Sequence, residues 1–282
     1  MRFLVPVVLL CAACSSLPMP RQQSVSKPIA DLPVEIRNHL PTVVVLVSGK
    51  PFKLFLDLGA FEQIGLTTEE LSKTRVRFTK SSSKYINSKG EAFESRRFIA
   101  PDVVIGGVPF GDLTGGEFIN YPGGPPDQNG NIGMGLLGKY LMVLDYPNKH
   151  VRLYQSGDEA ALRRECGTVT FSISVVNGVA QSLATTSKGN LLIEWDTGST
   201  DNVLRPSIIP SAITLATQQD DGPPIFTVAS VSLGGHKIGP VQFRLVPFAA
   251  PAVDAVFGTD LFASRRVCLD ILQHKGAIRA AF

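Results

Sequence analysis

Two stretches of the chain share one design, and together they restrict the fold more than any other feature. Leu191-Leu192-Ile193-Glu194-Trp195-Asp196-Thr197-Gly198-Ser199-Thr200 is an apolar run that ends in an acid, a small hydroxyl residue and glycine. A buried strand delivers one carboxylate to a tight turn at its end in this way. Lys53-Leu54-Phe55-Leu56-Asp57-Leu58-Gly59-Ala60 repeats the design 139 positions earlier. An isolated Asp before glycine is ordinarily a turn residue. Two of them at matching ends of apolar strands need a further reason, because burying a charge is costly. Asp57 and Asp196 are therefore read as a pair that meets and shares a proton.

Two more blocks recur in the same order. Val103-Val104-Ile105-Gly106-Gly107 returns as Val231-Ser232-Leu233-Gly234-Gly235, 128 positions on. Leu136-Leu137-Gly138-Lys139-Tyr140-Leu141 aligns with Val256-Phe257-Gly258-Thr259-Asp260-Leu261, 120 positions on. Three ordered repeats mark a duplicated unit of about 120 residues. With 26 glycines and 20 prolines among short apolar runs, the unit is built of strands and turns. The fold class is all-β, with lobes over 38–154 and 166–282 and a linker over 155–165. Within that linker, Asp158 to Arg164 reads as a short polar helix. Lys80 to Phe98 reads as an exposed hairpin around Ser88-Lys89-Gly90, and Tyr121 to Asn131 as a loop without apolar period.

A charge of +3 with no basic stripe argues against nucleic acid as a partner. His39, His150, His236 and His274 are scattered without metal-ligand spacing, so no metal and no cofactor is expected. Gly130-Asn131-Ile132-Gly133-Met134-Gly135 superficially resembles a phosphate loop but lacks the strand and helix such a loop needs. Trp195 reads as core packing, and Tyr85 as a surface aromatic or a cover for the site.

Residues 1–14 read as an export signal: Arg2, then apolar Phe3 to Leu10, then small residues to Cys14. Ala12-Ala13-Cys14 resembles the end of a bacterial lipoprotein box, which makes Cys14 the acylated residue. An ordinary secretory signal cut nearby is the alternative. A linker over 15–37 follows, with polar Ser15 to Lys27 as a tether. These readings place the protein in the periplasm as an outer-membrane lipoprotein, held to the membrane by its lipid. Cys166 and Cys268 then form a disulfide in an oxidising compartment, or remain two buried thiols.

The ordered blocks resemble the retropepsin-like aspartic peptidases, in the bacterial exported form with two tandem lobes. Lobe one shows Asp57-Leu58-Gly59-Ala60, Gly106-Gly107, Leu136-Leu137-Gly138 and Leu144-Asp145-Tyr146. Lobe two shows Asp196-Thr197-Gly198-Ser199, Gly234-Gly235, Val256-Phe257-Gly258 and Leu269-Asp270. The resemblance implies two β-barrel lobes forming a pseudo-dimer of the pepsin-like plan, with a cleft between them. It implies Asp57 and Asp196 as the catalytic dyad acting on a peptide or protein substrate. Leu58, Gly59, Ala60, Thr197, Gly198 and Ser199 would form the active loops, clamped from behind by the blocks ending in Gly138 and Gly258.

Two departures stand out. Leu58 replaces the Thr or Ser with which each lobe of the family grips the other, so lobe one does not reciprocate the grip of Thr197. Lobe one also runs five residues shorter from Gly138 to Asp145 than lobe two from Gly258 to Asp270. A non-enzymatic module that binds peptide or protein in its cleft is therefore the rival reading. Within the dyad, Ser199 is expected to donate to Asp196, making Asp196 the more acidic member and Asp57 the proton holder.

Overall fold

The structure, a computed structural model, describes residues 26–86, 90–119, 129–187, 189–208, 223–248 and 253–280. The segment read as an export signal with Cys14, the hairpin tip Ser88-Lys89 and most of the 121–131 loop lie outside the described residues.

Each half of the chain closes into a six-stranded barrel. In lobe one the order is Leu40–Val47, Lys50–Asp57, Gly130–Gly133, Ile64–Thr67, Val108–Phe118 and Ala92–Ile105, which returns to Leu40–Val47. Lobe two repeats it with Val179–Thr186, Gly189–Trp195, Ala255–Phe257, Val203–Leu204, His236–Leu245 and Ile225–Leu233, closing on Val179–Thr186. The expectation of two tandem β-barrel lobes is borne out. Closure removes the exposed edges that such short strands would otherwise present.

A third sheet joins the lobes, in the order Ala30–Pro33, His150–Gln155, Tyr140–Asp145, Arg265–Asp270, Lys275–Ala280 and Thr170–Ser172. Its central pair runs antiparallel, with Val143 opposite Cys268. Leu144-Asp145 and Leu269-Asp270 are 125 positions apart, which makes Cys268 the repeat counterpart of Val143. A residue paired with its own counterpart marks the pseudo-twofold axis. Asp145 lies beside that axis, 1% exposed, and accepts from Arg152 at 2.9 Å and Arg266 at 2.7 Å. Despite burial, Asn148 and the two guanidinium groups hold its carboxyl below the usual range.

Two segments do more than connect. The linker expected over 15–37 gives way to strands at Ala30–Pro33 and Glu35–Arg37, because Ala30 and Leu32 alternate into the core. The expected linker is a helix, Glu159–Cys166, capped by the Asp158 carboxylate on the Ala161 N–H. It buries Ala161, Leu162 and Cys166 against the joining sheet, and a disulfide ties Cys166 to Cys268.

Trp195 is wholly buried in lobe two, stacked 5.2 Å from Phe171 and tilted against Phe257. Its indole N–H donates to Ser182 Oγ at 2.9 Å. Ile193 and Trp195 thus face the core, and the alternation turns Glu194 and Asp196 to the opposite face.

Candidate active site

Both aspartates are held by the same local construction. Asp57 closes the strand Lys50–Asp57, in parallel register with Gly133. Asp196 follows Gly189–Trp195, and its N–H donates to the Phe257 carbonyl at 3.1 Å. Each chain then turns, with Ala60 N–H on Asp57 O and Ser199 N–H on Asp196 O, both at 3.3 Å. The turns are pinned from behind by the first residues of two short helices, Met134–Leu137 and Thr259–Ala263. Met134 N–H donates to Ala60 O at 2.7 Å and Thr259 N–H to Ser199 O at 2.9 Å.

This corrects the third repeat. The counterpart of Val256-Phe257-Gly258 is Asn131-Ile132-Gly133, not Leu136-Leu137-Gly138. Gly133 and Gly258 both precede a short helix, and a Cβ at either would collide with the carbonyl of Glu62 or Asp201. Gly138 instead ends the Met134–Leu137 helix, its N–H on Met134 O. The misalignment arises because two apolar residues and a glycine occur again one helical turn later, while Asn131 breaks the apolar signature at the true position. The apparent five-residue gap also disappears, since Gly133 to Asp145 and Gly258 to Asp270 are both 12 positions. The phosphate-loop lookalike is this strand and helix start.

Each carboxyl group lies against the glycine of the other lobe's turn, Asp196 beside Gly59 and Asp57 beside Gly198. One backbone N–H, that of Gly59, points at both: 3.0 Å to Asp57 Oδ1 and 3.2 Å to Asp196 Oδ1. Gly198 N–H donates to Asp196 Oδ1 at 2.8 Å, and Ala60 N–H to Asp57 Oδ1 at 3.1 Å. Only glycine permits this approach. A Cβ at Gly198 would stand 2.5 Å from Asp57 Oδ1, and one at Gly59 would stand 2.9 Å from Asp196 Oδ1.

Within the pair the roles are the reverse of those expected from Ser199. The Ser199 hydroxyl donates to Asp201 O at 2.8 Å and leaves Asp196 alone. Asp57 gains a side-chain donor instead, Asn131 Nδ2 at 2.8 Å from Oδ2. Burial raises the Asp57 carboxyl above its ordinary value, while Asn131, Gly59, Asp196 and Ala60 pull it back. Burial, then the charges of Asp57 and Glu194, push Asp196 much further up, against the N–H groups of Gly198 and Gly59. The Asn131 donor on Asp57 and the acidic neighbours of Asp196 favour the charge on Asp57 and the proton on Asp196. The identity of residue 60 was a poor guide because its donor is the backbone N–H, which any residue but proline supplies. Replacing Asn131 with alanine removes a bond made to ionised Asp57. The acid limb of the activity profile should then move to higher pH, by about one unit. Ser199→Ala should leave that limb in place.

The grip between lobes is one-sided. Thr197 is fully buried, accepts from Leu58 N–H at 3.0 Å and donates to Leu56 O at 2.9 Å. Leu58 is 1% exposed and belongs to the hydrophobic core. The buried Tyr146 ring, 5.6 Å from Phe262, brings its hydroxyl beside Thr197 without a well-formed hydrogen bond. Burial foremost, with the Asp196 charge, keeps that phenol neutral. Leu58→Thr places a hydroxyl in an apolar seat and should lower unfolding stability by about 1–3 kcal/mol, measured by denaturant titration.

Tyr85 packs among aromatic rings beside the Asp57 turn and not against the dyad itself. It stacks on Phe93 at 5.7 Å and meets Phe61, next to the Asp57 turn, at 6.4 Å. His150 pairs with Asp31 on the surface. The described residues include no group of three or more His, Cys, Asp or Glu arranged to hold a metal. Sequence reasoning missed Asn131, Glu194 and Tyr146. The signal for Glu194 and Asn131 was available, as a polar residue inside an otherwise apolar strand at the level of the dyad.

No family profile matches the sequence, and no curated protein does. Solved structures match in fold. The aspartic proteinase from Irpex lacteus superposes with a TM-score of 0.59 at 11% identity, over 89% of this chain and 97% of that one. Basic 7S globulin from soybean superposes with a TM-score of 0.57 at 8% identity, over 89% and 95%. The fold is that of the pepsin-like aspartic proteinases. At these identities the likeness speaks for the pepsin-like fold alone, and only one of the two neighbours is named as a proteinase.

Proposed function

We propose that the chain is an aspartic endopeptidase of the retropepsin-like kind, hydrolysing extended peptides that lie between its lobes. The single observation that carries this is the Gly59 N–H shared by Asp57 and Asp196, which brings one carboxyl from each barrel to one place. Two carboxyls so close cannot both ionise readily. Ionised Asp57 takes a proton from a water as its oxygen attacks the peptide carbonyl carbon. Protonated Asp196 hydrogen-bonds the carbonyl oxygen and stabilises the negative charge that develops there. Collapse of the tetrahedral intermediate expels the amine, which leaves with a proton returned by the dyad. The reaction needs no metal and no cofactor.

The export signal and Cys14 support a lipid-anchored periplasmic enzyme, with the polar segment after Cys14 as tether. No described helix is long and apolar enough to cross a membrane. The test is digestion of a peptide library from acid to neutral pH, with and without a pepstatin-type inhibitor. Internal cleavage that the inhibitor suppresses supports the proposal. The one-sided grip of Thr197 favours a second reading, a module that binds peptide without cutting it. Saturable peptide binding with intact peptide recovered at every pH would decide for that reading.

A further inference from the structure

The two aspartate strands differ at the level just below the dyad. In lobe one Phe55 lies two residues before Asp57, and its partner on the parallel strand is Asn131. In lobe two that place is held by Glu194, and the partner is Val256. The polar side chain has changed strands between the lobes. Lobe one offers Asp57 a neutral donor, whereas lobe two sets an acid on the strand face shared with Asp196.

Glu194 is 8% exposed, with buried Gln181 opposite it on the antiparallel side. Its carboxyl takes no hydrogen bond and no ion pair among the described residues. The charged groups on the neighbouring segments are engaged elsewhere. The Asp254 carboxylate accepts from Leu192 N–H at 2.8 Å, and Arg205 donates to Val253 O at 3.2 Å, its guanidinium over the Phe248 ring. The charges that act on Glu194 and that it acts on are those of Asp57 and Asp196. An acid largely withdrawn from water and without a protein partner is costly to keep charged. Phenylalanine fills the matching place in lobe one, so packing alone does not call for an acid here.

We propose that Glu194 is a positioning residue of the dyad, a third carboxyl whose charge, present from neutrality upward, opposes loss of the proton that the pair shares. This rests on the reading of Asp57 and Asp196 as a proton-sharing pair. Burial, with the Asp57 charge, pushes the Glu194 carboxyl up to about 7. Burial, then the charges of Asp57 and Glu194, raise the Asp196 carboxyl in turn. Once charged, Glu194 opposes ionisation of Asp196, so the singly charged pair persists to higher pH than the two aspartates alone would allow.

The test is a carboxyl carbon NMR titration of the whole protein, comparing the native chain with Glu194→Gln and Asp57→Asn. One glutamate signal should titrate near neutrality in the native chain and be missing from Glu194→Gln. In Asp57→Asn that signal should shift to lower pH by about one unit, because the neighbouring charge is gone. The Asp196 step should move to lower pH in Glu194→Gln. An ordinary Glu194 titration, or an Asp196 step indifferent to Glu194, overturns the proposal. The Asp57→Asn comparison retains Glu194, so it decides the matter even if Glu194→Gln fails to fold. These signals are read whether or not peptide is cut, so a failed peptidase reading and a failed third acid are told apart. Where peptide is cut, the alkaline limb of kcat/KM should fall by about one pH unit in Glu194→Gln, an effect that a merely structural residue would not produce.

Discussion

Asp57→Asn and Asp196→Asn should each lower kcat/KM for peptide hydrolysis by about 1,000-fold or more, with both barrels still folded. The two losses have different causes. Asp57→Asn removes the only group in the pair that accepts a proton from water, and sets an amide against the Asn131 donor. Asp196→Asn keeps a donor toward the carbonyl oxygen but removes the acidic proton that the departing amine needs. Neither change alters side-chain size, and each relieves repulsion between two buried acids, so the thermal midpoint should hold or rise. The double variant should be little worse than either single one, because the pair acts as a unit. Steady-state kinetics with thermal melts for all three variants checks this. Near-native turnover in either single variant would remove that residue from the mechanism.

The second large effect concerns stability. Cys166 and Cys268 are bonded with Cα atoms 6.1 Å apart and 102 positions between them in sequence. Closing a loop of about 100 residues stabilises a fold by up to about 4–5 kcal/mol in the chain-entropy model. The bridge also fastens the Glu159–Cys166 helix to the residue on the pseudo-twofold axis, where the lobes are joined. Replacing both cysteines with serine, or reducing the bond, should lower unfolding stability by about 2–5 kcal/mol. At about 2–4 °C per kcal/mol for a chain of this size, the melting midpoint should fall by roughly 10 °C. Melting with and without reductant measures it. An unchanged midpoint would show that the bridge contributes nothing to the folded chain's stability.

The parts of the fold legible in the sequence were those written as local patterns. Apolar runs ending in Asp-x-Gly mark strands that end at a turn, and the structure brings both turns together. Trp195 was legible as core because its neighbours alternate around it. What was hidden depends on contacts between distant segments. Asn131 looks like a loop residue beside a proline-rich stretch, and only the parallel pairing with Phe55 shows it at the level of Asp57. The reversed proton assignment has the same origin. Ser199 is close to Asp196 in sequence, but its hydroxyl turns toward Asp201 O, and a residue 74 positions away from Asp57 supplies the donor that matters. Residues 30–37 read as linker because two short alternating strands carry too weak a signal until the His150–Gln155 and Leu40–Val47 strands pair with them.

In the proposed mechanism water, activated between Asp57 and Asp196, attacks the peptide directly. Cleavage of a defined peptide in oxygen-18 water, with an amine nucleophile added at rising concentration, tests it. The account predicts one heavy oxygen in each new C-terminal carboxyl group and no amide formed with the added amine, because no acyl-enzyme exists to be trapped. An amine adduct that grows with amine concentration, or intact peptide at every pH from about 3 to about 8, would contradict it.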